Sequence, residues 1–163
     1  MKKIRIFVMA ILFMSVTSCN GSNEPSFVPP QVENADENDN SQKEEYGMNI
    51  LVNGHTLKAK MAANSATQAL MDLLKQGSLT LKLQEYGGFE KVGSLGHTLP
   101  ASNSQITTSS GDIVLYQGNQ LVLFYGSNSW SYTRLGKIEG VSQSELKNIL
   151  GTGDVTVVLS LSE

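Results

Sequence analysis

The chain has 163 residues, 40% of them hydrophobic, with a formal charge of −3 and a single cysteine. One cysteine excludes an intramolecular disulfide and CxxC-type redox or zinc sites. The small net charge hides two opposed ends: residues 47–163 hold eight acidic and eight basic side chains, and with no basic cluster to neutralise phosphates, nucleic-acid binding is set aside.

In chain order, residues 1–18 read as a secretion signal, to be removed before the fold is considered. Lys2, Lys3 and Arg5 form a positive start, and Ile6 to Met14 is an uncharged apolar run. It is shorter than the roughly 20 apolar residues that span a bilayer. Val16-Thr17-Ser18-Cys19 then has the lipobox pattern of an aliphatic residue, two small ones and a cysteine. Small residues let the peptidase reach the backbone, and the Cys19 thiol is the expected acceptor of the lipid. The expected location is the bacterial cell envelope, with the chain lipid-anchored to a membrane.

Residues 19–46 follow as a lipidated cysteine and a polar, acidic tether. Glu24, Glu33, Asp36, Glu37, Asp39, Glu44 and Glu45 face one base, Lys43. Such a segment buries too little apolar surface to offset its ordering entropy and is expected to be disordered. Its like charges extend it.

Residues 47–163 read as one mainly β domain. Met48, Ile50 and Val52 alternate, Asn53-Gly54 follows, and Leu57, Ala59 and Met61 alternate again. An Asn-Gly pair between alternating runs predicts a hairpin, because both turn residues need positive φ. Ser65 and Gln68 have capping-box spacing before Ala69, Leu70, Leu73 and Leu74, with Gly77 closing a helix. Leu79, Leu81 and Leu83 predict a third strand, and Lys91 to Leu95 a short one. Ile113–Tyr116 and Leu121–Tyr125 flank Gly118-Asn119, a second predicted hairpin; Tyr132–Ile138 and Val155–Leu161 supply two more strands. Between these last two, Ser142 and Glu145 repeat the capping device before Leu146, Ile149 and Leu150, and Gly151 ends that helix. Many strands and two short helices, each with one apolar stripe, predict a closed or nearly closed barrel.

The stretches Leu83-Gln84-Glu85-Tyr86-Gly87-Gly88-Phe89-Glu90-Lys91-Val92, Leu99-Pro100, Gly111-Asp112-Ile113-Val114-Leu115-Tyr116, Gly118-Asn119-Gln120-Leu121-Val122-Leu123-Phe124-Tyr125 and Arg134-Leu135-Gly136-Lys137-Ile138 occur in that order. Together they resemble the bacterial cyclophilin-like domain family, here in lipoprotein form. The resemblance covers nearly all of 47–163 and implies a cyclophilin-like β-barrel. It carries over no agreed activity. True cyclophilins have Phe-His-Arg, Met-Gln-Gly-Gly-Asp-like and Asn-Gly-Ser-Gln-Phe-Phe stretches around the active groove, and none occurs here. Isomerase chemistry needs an arginine beside an apolar proline pocket, and the mature chain has only Arg134.

No catalytic set stands out. His55 and His97 are not at metal-ligand spacing, so no metal site is expected. Glu85 and Glu90 could pair as carboxylates, but on a strand–turn–strand element the simpler expectation is that both face solvent. Gly151-Thr152-Gly153 follows a helix and reads as a C-cap. An aromatic constellation remains. Alternation puts Tyr116 out of phase with Ile113 and Leu115, and Phe124 out of phase with Leu123 and Tyr125. One set fills the barrel and the other is free to line a cleft. Trp130 lies in the polar run Ser127–Ser131, expected to be a loop, as a lid over a groove or a residue packed on a strand. The candidate ligand-binding residues are therefore Arg134, Tyr86, Phe89, Tyr116, Phe124 and Trp130. For Arg134 a structural ion pair with Glu85 or Asp112 stands beside the binding role. The expected function is a membrane-tethered, non-enzymatic peptide or small-ligand binding module without a cofactor. The alternatives are a peptidyl-prolyl cis-trans isomerase and a purely structural envelope component.

Overall fold

The computed structural model describes residues 47–162. The expected signal, the expected lipid acceptor Cys19 and the expected tether lie outside the described residues.

Strands β1 (Gly47–Val52) and β2 (His55–Met61) pair across Asn53-Gly54. Both turn residues take positive φ, 49° and 80°, as the Asn-Gly pair predicts. Helix α1 (Ser65–Gln76) follows. Its cap is one residue earlier than the expected Ser65: the Asn64 side chain accepts the Thr67 N–H at 2.9 Å. Asn64 also donates to the Arg134 carbonyl at 2.8 Å, so the cap ties the helix start to the sheet. Gln68, expected as the cap's partner, donates to Asp72 instead.

Next come β3 (Leu79–Tyr86), β4 (Glu90–Ser94), β5 (Ser104–Thr107), β6 (Asp112–Tyr116), β7 (Gln120–Phe124), β8 (Ser129–Glu139), α2 (Gln143–Leu150) and β9 (Val155–Leu161). Helix α2 has the expected capping box, Ser142 with Glu145. All pairings are antiparallel, in the order β2-β1-β9-β3-β4-β7-β6-β8-β5. A further β2–β8 ladder closes eight of these strands into a barrel and leaves β5 outside it, on β8. At the closing seam β8 carries Gly136, where a Cβ would meet the Lys60 carbonyl oxygen at 2.6 Å. Only glycine lets the two backbones approach this closely.

Alternation gives the barrel two apolar faces. Met48, Ile50, Leu83, Ile113, Leu115, Leu121, Leu123, Leu135, Val157 and Leu159 fill the interior, joined by Leu70, Met71 and Leu74 of α1 and Leu146 and Leu150 of α2. Each such aliphatic burial contributes about 1.5–3 kcal/mol before chain entropy is counted. A second, smaller cluster lies on the opposite face of β6, β7 and β8: Val114, Val122, Phe124 and Tyr132, with Phe89, Val92, Ile106 and Tyr116 packed on it. The phase separation of Tyr116 and Phe124 from the barrel set is as expected.

Candidate aromatic cleft

The smaller cluster is the floor and wall of an open cleft of about 830 Å³ on the outer face of the barrel. Its lining includes Tyr86, Phe89, Glu90, Tyr116, Trp130 and Tyr132. The volume falls in the range of small-molecule sites, roughly 300–1,000 Å³. Of the three large hydrophobic side chains left exposed among the described residues, two, Tyr86 at 61% and Trp130 at 56%, flank this cleft.

One wall comes from the β3–β4 hairpin. Gly87 and Gly88 both take positive φ, 61° and 75°, which turns the chain tightly between Tyr86 and Phe89. The Phe89 carbonyl accepts from the Tyr125 and Gly126 N–H groups at 3.0 and 2.9 Å, fixing the hairpin tip against β7. The Tyr86 and Phe89 rings meet edge to face at 6.3 Å. Phe89 stacks on Phe124 at 6.4 Å, and Phe124 meets the Tyr132 ring at 5.7 Å and 69°. Tyr132 in turn meets Tyr116 at 5.9 Å and 68°. Phe124 is fully buried, so it supports the wall rather than facing the opening.

The opposite rim comes from β8. Ser129-Trp130-Ser131, expected as a loop, is instead the first part of this strand and pairs with β5, where Ile106 lies opposite Trp130. Asn128 donates to the Tyr132 hydroxyl at 3.0 Å.

The register of the β3–β4 hairpin also sorts its carboxylates. Glu85 is opposite Lys91, and Tyr86 is opposite Glu90. Directly opposed residues share a face, so the two glutamates lie on opposite sides of the sheet and do not pair. The expectation that both face solvent is corrected as well. On the inner side Lys91, with no exposed surface, donates to Glu85 at 2.5 Å and to the carbonyls of Gly151 and Gly153 at 2.9 and 2.6 Å. Tyr125 donates its hydroxyl to the other Glu85 oxygen. Burial alone would raise the Glu85 carboxyl, but the hydrogen bonds from Lys91 and Tyr125, with the Lys91 charge, hold it below its ordinary value.

Glu90 has no such support. It is 7% exposed, and its Oε2 is buried without a hydrogen-bond partner. Burial pushes its carboxyl from 4.5 up to about 7. Burial, together with the nearby Glu90 charge, also raises the Tyr132 hydroxyl.

Arg134 stands apart from the other candidates. It lies outside the cleft lining, with Nη1 3.2 Å from Asp112 Oδ1 and its side chain 44% exposed. Of the two roles expected for Arg134, the geometry shows the structural ion pair and not a place among the cleft residues. A register shift in the β6–β8 ladder places Arg134 opposite Val114, next to the buried Asp112 carboxylate. Asp112 also accepts from Lys137 at 3.2 Å and from the Ser109 N–H at 2.8 Å. Of the partners expected for a structural pair, it is Asp112 and not Glu85 that Arg134 meets.

Other features offer less. A depression of about 690 Å³ between β2 and α2 gathers His55, Lys58, Glu139 and Glu145. All four are exposed, and Glu145 is committed to the helix cap. His97 is exposed in a loop, and no group of three potential metal ligands occurs among the described residues.

The fold and the cleft together define a small closed barrel with an aromatic site on its outer surface. The chain belongs to the cyclophilin-like family, whose sequence model matches residues 50–160. Among solved structures it is similar to a hypothetical protein from Archaeoglobus fulgidus, determined in solution. That match has a TM-score of 0.51 and 14% identity, and covers 72% of this chain and 95% of that one. At such identity the likeness concerns the fold alone. No curated protein matches the chain.

Proposed function

We propose that the domain is a non-enzymatic binding module that receives a peptide or small ligand in the aromatic cleft, held at the cell envelope by lipid on Cys19. The observation that carries this reading is the pairing of exposed Tyr86 and Trp130 across an apolar cleft that keeps one buried, unpartnered carboxylate. Solvent-exposed aromatics over a concave apolar floor are what ligand sites share. Tyr86, Phe89, Tyr116 and Trp130 keep the binding role expected of them, with Phe124 as support and Tyr132 and Glu90 added. Arg134 is left out of the site.

The isomerase alternative fares worse. It needs a guanidinium beside the proline ring, whereas the Arg134 guanidinium meets Asp112 and no arginine lines the cleft.

Trp130 is the sole tryptophan, so its intrinsic fluorescence reports on the cleft directly. Ligands found by a thermal-shift screen should change this emission, and Tyr86→Ala should weaken their binding about tenfold or more. Hits that leave the emission unaltered and bind Tyr86→Ala as well as wild type would refute the cleft as the binding site.

A further inference from the structure

We infer that the cleft is built for a small organic ammonium ion, seated with its charge against Glu90 and its alkyl groups against the rings of Tyr86, Tyr116, Trp130 and Tyr132. This deepens the binding-module reading and rests on it.

The inference begins with what surrounds Glu90. The titratable side chains on its face are Tyr86 from β3, Tyr116 from β6 and Tyr132 from β8; β7 contributes Val122 and Phe124. Tyr125, just past the end of β7, feels the Glu90 charge but gives its hydroxyl to Glu85 on the inner side. No lysine, arginine or histidine lines the cleft. The neighbouring base in sequence, Lys91, donates to three acceptors on the opposite face. Arg134 and Lys137 are both on Asp112. A carboxylate with a buried, unsatisfied oxygen is costly to keep, and nothing in the described residues neutralises it.

A cation from solution would neutralise it, and the walls favour one kind. Aromatic faces carry negative quadrupole potential, and rings around an alkylated ammonium head attract it while excluding water. A metal ion is a poor fit: Ca²⁺ needs about six to eight oxygen ligands and Mg²⁺ a near-octahedral set, while Glu90 is the only carboxylate in the lining. The cleft volume of about 830 Å³ admits a small molecule whole.

The test compares choline with its uncharged isostere, 3,3-dimethylbutan-1-ol, on the purified full chain by Trp130 fluorescence. Choline should bind about tenfold or more tightly than the alcohol near pH 8. Because binding needs the ionised carboxylate, choline affinity should fall about tenfold between pH 8 and pH 6. In Glu90→Gln the preference for choline and its pH dependence should both vanish while the alcohol still binds. Equal binding of choline and the alcohol to wild type would overturn the cationic assignment and leave the cleft standing as a neutral ligand site. Failure of choline to bind, with hits from the ligand screen still binding at Trp130, would overturn it too. A choline preference that survives in Glu90→Gln would show that the charge is read elsewhere.

Discussion

Glu90→Gln should make the protein more stable at neutral and alkaline pH, which is unusual for removing a charged group. In the folded chain the Glu90 carboxyl is pushed from 4.5 to about 7 by burial. Below pH 4.5 it is protonated in folded and unfolded chains alike, and its charge has no effect on stability. Between 4.5 and about 7 the unfolded chain releases the proton while the folded chain keeps it, so stability falls as pH rises. Above about 7 both forms are ionised and the penalty is constant. At 1.36 kcal/mol for each pH unit between the two values, the full penalty is about 3 kcal/mol. Glutamine fills the same space without charge, so the variant should match wild type within about 0.5 kcal/mol at pH 4.5 and exceed it by about 1–3 kcal/mol at pH 8. Urea unfolding of both proteins at several pH values reads this difference. The comparison must be made as a difference, because Glu85 and Glu145, held low by their hydrogen bonds, impose the opposite pH trend on both proteins. Parallel stability curves for the two proteins from pH 4.5 to about 8 would refute the account of Glu90 as a desolvated, unpaired carboxylate.

On the inner face, Lys91→Ala removes a base that serves one carboxylate and two loop carbonyls. It should cost roughly 3–5 kcal/mol in denaturant unfolding, because Glu85 and the carbonyls lose their shared donor. Arg134→Ala should cost less than about 1 kcal/mol by the same assay, since the guanidinium is well exposed and Asp112 keeps Lys137 and Ser109. It should also leave ligand affinity in the cleft unaltered, checked by Trp130 fluorescence. Cys19→Ser should leave the precursor unlipidated, and fractionation should then find the protein released from membranes.

Much of the architecture could be read from local chemistry. Asn53-Gly54 announced its hairpin, Ser142 and Glu145 their helix start, and the alternation along β6 and β7 separated Tyr116 and Phe124 from the barrel set. The misses have physical causes. Strand β5 has one apolar residue in Ser104-Gln105-Ile106-Thr107 and forms because β8 extends beyond the barrel to receive it. That same extension turned an expected loop into the strand that carries Trp130. Asn64 and Ser65 are both able caps, and the choice between them depends on the Arg134 carbonyl, which is distant in sequence. Glu90 was the largest gap. Period-two alternation tells which residues share a side of a strand, but not whether that side is covered. Here the cover comes from rings on β6, β7 and β8, and the sequence holds no local sign of it. Lys91 was similarly illegible, since two of its acceptors lie some 60 residues further along.

The meeting of β2 with β8 has a consequence for how these molecules behave in company. An open sheet ends in two rows of unanswered amide groups, each a template on which another copy can assemble. Here eight strands each have a neighbour on both sides over part of their length, and among the described residues β5 is the one strand with a neighbour on a single side. Its other border is four residues long, and three of them are serine, glutamine or threonine. Short and hydrophilic, that border gives a second molecule little on which to build a fibre.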